Sequence, residues 1–95
     1  MEINFAPKAL AEMKKVYKLI FNKQTFAERS LAGICYDLGY DYRKKKRNII
    51  DCIDNLCELG FQITERDTEN NEYFGILISD KNAILYDKYF INIRR

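Results

Sequence analysis

The chain has 95 residues, 47% of them apolar, with seven Tyr and six Phe, which fits one domain with a modest core and excludes a disordered chain. No apolar run approaches the roughly 20 residues that cross a bilayer, and the start, MEINFAPKAL, lacks the charged-then-apolar order of a signal peptide. A cytoplasmic location with no membrane partner is therefore expected, and with net charge +2, no histidine and no CxxC, neither a zinc site nor any other cofactor is. The three cysteines, Cys35, Cys52 and Cys57, are read as small buried apolar groups rather than a disulfide framework.

Taken in chain order, Pro7 sits where a first helical turn tolerates it, and Leu10, Met13, Val16, Tyr17, Ile20 and Phe21 follow at spacings of three and four. That stripe predicts a helix over about 8–22. Asn22-Lys23-Gln24 breaks it, and Thr25 with Glu28 has the form of a capping box opening a second helix. Leu31, Ile34, Cys35 and Leu38 would be the inner face of that helix, with Gly33 in its middle and Gly39 just past its end. Asp41 is a good N-cap for a third helix over about 42–59, with apolar positions Tyr42, Ile49, Ile50, Ile53, Leu56 and Cys57 and Gly60 as its stop.

Beyond Gly60 the period changes from 3.6 to 2. Phe61, Ile63 and Glu65 alternate with Gln62 and Thr64, then RDTENNE precedes YFGILI, which predicts a two-stranded hairpin with Asn70 or Asn71 left-handed at its tip. In the tail, Ser79-Asp80 favours a helix over about 81–90, although AILYDKYFINI is also rich enough in β-branched and aromatic residues for a strand. The expected architecture is α+β: one domain, with a core over 8–78 and a C-terminal element over 79–95.

Charge is unevenly spread. Residues 43–47, RKKKR, carry +5, whereas residues 48–72 carry −6. Cations at a helix start oppose the helix dipole, a cost that an anionic partner would relieve; the other reading is a solvated basic turn. Arg43 and Arg47 have the geometry for guanine, Lys44 and Lys45 suit phosphate, and Asn48 suits adenine. Tyr36, Tyr40 and Tyr42 bracket the run. Buried rings with wet hydroxyls are the plainer reading, and Tyr40 is the expected exception that reaches a phosphate or base. The segment Glu65 to Glu72 is acidic apart from Arg66, so it repels phosphate and suits a basic protein surface or simply a soluble hairpin tip. Asp51, Asp54 and Glu58 lack a partner base or nucleophile, so no enzyme activity is expected.

The stretch RNIIDCIDNLCELGFQI resembles the third helix and first wing strand of the winged helix-turn-helix domain in DeoR-type bacterial regulators, the kind of domain that also precedes WYL sensor domains. Arg47, Ile49, Ile53, Leu56, Gly60, Phe61 and Ile63 fall in register with that family's pattern, and Tyr73-Phe74 falls where its second wing strand carries an aromatic pair. The pattern is departed from at Asn48, Asp51 and Cys52, where the family has threonine, arginine and aspartate. The resemblance implies a winged helix of three helices and a two-stranded wing, and a transcriptional regulator binding double-stranded DNA through Arg43, Lys44, Lys45, Arg47, Asn48 and Tyr40. It also implies a homodimer, with Ala83 to Ile93 the candidate interface. The alternative is a winged helix of a phage or mobile-element protein that binds a protein partner through its acidic wing.

Overall fold

A computed structural model describes residues 5–21, 28–69, 71–76 and 78–91. Among the described residues the fold is α+β, with four helices and a small three-stranded antiparallel sheet. In chain order the elements are α1 (Pro7–Ile20), β1 (Arg29–Ser30), α2 (Leu31–Asp37), α3 (Tyr42–Glu58), β2 (Ile63–Asp67), β3 (Glu72–Ile76) and α4 (Asp80–Tyr86). A π-helical turn, Asp87–Ile91, continues α4.

The first three helices bury most of the face their spacing predicts, α3 departing from it at Tyr42 and Cys57. Met13, Val16, Tyr17 and Ile20 of α1, Leu31, Ile34 and Cys35 of α2, and Ile49, Cys52, Ile53 and Leu56 of α3 meet in one core. Two helix ends use the same device. Gly39 (φ 75°) and Gly60 (φ 105°) are left-handed, a conformation that side chains with a Cβ resist. Each sits in a Schellman turn. Tyr40 N–H donates to Cys35 O (2.8 Å), and Phe61 N–H to Leu56 O (3.1 Å). The second turn drops Phe61 into the core before β2 begins.

Several expectations are corrected. The second helix starts at Leu31, not near Thr25, and its cap is Ser30, whose Oγ accepts from Gly33 N–H at 3.0 Å. Thr25 itself lies outside the described residues, and Glu28 accepts from Arg66 Nε instead of closing a capping box. The reason is a third strand. Arg29 and Ser30 pair with Phe74 and Tyr73, so the chain is extended there, and the sheet has the order β1-β3-β2 rather than two strands. Asn71 is not left-handed; Thr68 N–H and Oγ1 both donate to its carbonyl, while Asn70 lies outside the described residues. Within the expected strand YFGILI, β3 ends at Ile76, Leu77 is not among the described residues, and Ile78 is exposed. Cys57 is exposed, as is Tyr42, because α3 turns both away from the core.

The tail is helical over Asp80–Ile91, and residues 92–95, including Ile93 of the expected interface, lie outside the described residues. Ser79 caps α4, its Oγ accepting from Asn82 N–H at 3.1 Å. Tyr86 and Phe90 then pack with Tyr17 and Phe61 in an aromatic cluster, with ring centroids 4.9 to 6.3 Å apart. The widened turn brings Phe90 inward to 4% exposure, and Lys14 Nζ donates to its carbonyl oxygen at 3.2 Å. Asn82 ties α4 to the α3–β2 connection: its Oδ1 accepts from Gln62 N–H (2.7 Å) and its Nδ2 donates to Gln62 O (3.0 Å). Among the described residues no helix is long and apolar enough to cross a membrane.

Candidate nucleic-acid interface

The basic run forms the first turn and a half of α3. Asp41 caps the helix, its Oδ1 accepting from Arg43 N–H at 3.0 Å, which offsets part of the repulsion among the cations that follow. Arg43, Lys44, Lys45, Lys46, Arg47 and Asn48 are all exposed. Among the described residues, Arg47 alone of the five cations is ion-paired, its Nε 3.5 Å from Asp51 Oδ1 one turn along the helix. Asp51 is thus a neighbour of the cation patch as well as an acid on the same outer face.

Two tyrosines divide the run. Lys45 Nζ lies 5.6 Å from the ring centroid of Tyr40, and Lys46 Nζ lies the same distance from that of Tyr42. Lys45 turns toward α1. There it lines a groove of about 530 Å³ with Lys8, Glu12, Tyr40 and Asn48. Tyr42 shares a shallow depression with Asp67, Thr68, Glu69, Asn71 and Glu72 of the hairpin.

Tyr40 does not have the free hydroxyl expected of it. It is half-buried, and its O–H donates to Glu12 Oε1 at 2.8 Å. That bond, then burial and the nearby Glu12 charge, push its pKa up. Tyr36 is the most exposed of the trio, at 83%, and Tyr42 is exposed as well. The expected set therefore gathers Arg43, Lys44, Lys45, Arg47 and Asn48 on one end of α3, with Tyr40 beneath Lys45 as a support. Sequence reasoning missed Lys8 and Glu12. Both lie off the apolar stripe of α1, and no local signal marks them as neighbours of α3.

Negative charge borders this patch on two sides. Along the outer face of α3, Asp51, Asp54 and Glu58 follow the cations and are exposed. Across the hairpin, Glu65, Asp67, Glu69 and Glu72 are exposed, and Asp67 stands directly opposite Glu72 in the strand register. Arg66 does not offset them. It stacks on Tyr73, 4.5 Å from the ring centroid, and binds Glu28 at 3.0 Å.

All three thiols are held toward their protonated form. Burial, then Glu12 and Asp51, push Cys52 up to about 11; burial raises Cys35, and burial with Glu65 and Asp54 raises Cys57. Among the described residues no group of three His, Cys, Asp or Glu is placed to hold a metal ion. Comparison with family models, with curated proteins and with solved structures finds no match to this chain.

Proposed function

We propose that this chain is a DNA-binding winged-helix protein, a transcriptional regulator or the DNA-binding domain of one, that inserts the N-terminal turns of α3 into the major groove. The observation that carries the reading is the patch Arg43 to Arg47, five exposed cations of which four make no ion pair among the described residues. The element order and the β1-β3-β2 sheet support a winged helix, with β2 and β3 as the wing. The change of charge along α3 supports an end-on approach. The helix start attracts phosphate, whereas Asp51, Asp54 and Glu58 repel it, so only the first two turns enter the groove. Binding of this kind releases counterions and falls steeply with salt. In a dimeric form, the tail offers a second copy Ile84 and Ile91, which are exposed; Tyr86 and Phe90 are used by the core.

The test is a fluorescence-anisotropy titration of a duplex at two ionic strengths. Replacing Arg43, Lys44 and Lys45 together by alanine is expected to weaken binding and to flatten the salt dependence by about one unit of slope for each phosphate no longer neutralised. Equal binding and slope in a variant that keeps its circular dichroism would sink the reading. The second reading, a protein-interaction module, is favoured by one specific observation: the acidic hairpin keeps Asp67 opposite Glu72, a like-charge pair that a basic partner surface would relieve. It predicts negligible duplex binding at any salt.

A further inference from the structure

Once the start of α3 is engaged, the charges around it restrict which way a duplex can run; this step rests on the DNA-binding reading. Acids close off two directions. The outer face of α3 beyond Asn48 carries Asp51, Asp54 and Glu58, and the hairpin tip carries Asp67, Glu69 and Glu72 beside Tyr42. Like charge repels phosphate on both sides. Among the described residues the third side is open and basic: the groove between α1 and α3, where exposed Lys8 faces Lys45 and Asn48 across about 530 Å³. The acid in that lining, Glu12, is half-buried and accepts from Tyr40. Its bond holds the ring over which Lys45 sits, so Glu12 and Tyr40 act as positioning residues for a lysine whose stem is otherwise flexible.

We infer that the α1–α3 groove is a second phosphate-binding site, in which Lys8, Lys45 and Asn48 hold the backbone of duplex DNA flanking the segment read by α3, while the acidic hairpin stays off the duplex. Donors of two kinds meet neighbouring phosphodiesters there: the Lys8 and Lys45 ammonium groups each neutralise one, and the Asn48 amide donates to a phosphate oxygen. The hairpin then orients the complex by repulsion rather than by grip.

Lys8 gives the cleanest test, because it lies outside the basic run and is exposed in the first turn of α1. With the whole chain and one labelled duplex, Lys8→Ala is expected to weaken binding about threefold to tenfold at moderate salt and to lower the salt slope by about one. Lys88→Ala, which removes the same charge from the π-helical turn, is expected to change neither. The Arg43, Lys44 and Lys45 triple alanine variant is measured beside them. If it weakens binding while Lys8→Ala matches wild type, the groove is overturned and the α3 reading stands. If Lys88→Ala weakens binding as much as Lys8→Ala, net charge explains both and the groove is likewise overturned. If wild type binds no duplex, the reading and the groove fall together.

Discussion

Asp51 shows how one side chain sets the strength of a whole interface. It stands one turn beyond Arg47 and engages it at 3.5 Å, with both side chains more than half exposed. Such an i,i+4 pair stabilises a helix by only about 0.2–0.5 kcal/mol. Its effect on a polyanion is larger, since it adds a negative charge to the docking face and occupies one of the arginines. Asp51→Asn is expected to tighten duplex binding about threefold, and Asp51→Arg to tighten it further while raising the salt slope by about one. Urea unfolding of either variant should differ from wild type by less than about 1 kcal/mol. No gain in affinity from a folded Asp51→Arg would count against the neighbouring N-terminal turns of α3 meeting DNA. At this scale the sequence is informative about exposed charge and poor about partners. Tyr40 reads as an exposed contact because its hydrogen-bond acceptor, Glu12, lies 28 residues away. Asn82 carries no distinguishing signal in the sequence, yet it is 1% exposed and holds the backbone of Gln62 with both ends of its amide. Pairings of that kind depend on how helices cross, which spacing along the chain does not encode.

Among the elements, α3 is the most legible, for stated physical reasons. A carboxylate at Asp41 satisfies an orphan N–H, Ile49, Ile53 and Leu56 repeat on one face, and Gly60 accepts the left-handed turn that ends the helix. The same helix must carry much of the core, because Ile49, Ile53 and Leu56 are each at most 1% exposed. Truncating Ile53 or Leu56 to alanine is expected to cost roughly 2–5 kcal/mol in urea unfolding, a large share of an ordinary domain's stability. A loss below about 1 kcal/mol would mean that α3 is rotated from this packing. By contrast, the start of α2 is hidden because β1 has no period of its own. Its two residues become a strand only through Tyr73 and Phe74, more than 40 positions downstream, and the local signal from Thr25 and Glu28 points to a helix instead. The tail is decided by tertiary contacts too. Its aromatic residues suit a strand, but Ser79 caps a helix and Tyr17 with Phe61 receives Tyr86 and Phe90.

For the molecule as a whole, that aromatic cluster joins the two ends of the described chain, so its ionisation should govern stability at high pH. Tyr17 is 4% exposed, and burial, then the neighbouring Tyr86, raise its pKa to about 12, against about 10 in an unfolded chain. The fold therefore favours the protonated phenol. Its contribution is complete below pH 10 and is lost as pH rises from 10 toward 12, because the unfolded chain then releases a proton that the folded chain retains. Cys52 behaves in the same sense over a lower window, from about 9 to about 11, again chiefly because it is buried. Each group can contribute at most about 1.4 kcal/mol per pH unit within its window. Urea midpoints measured at pH 8, 10 and 11.5 are thus expected to fall, with the steeper part of the loss above pH 10. Tyr17→Phe keeps the ring contacts with Phe61 and Phe90 but has no proton to lose, so its midpoint should fall less between pH 10 and 11.5 than that of wild type. Cys52→Ala should instead flatten the loss between pH 8 and 10 and the first part of the loss above pH 10, leaving the limb above pH 11 to Tyr17. If Tyr17→Phe and wild type lose stability in parallel up to pH 11.5, the phenol is reached by water in the folded state and the aromatic cluster is not closed around it.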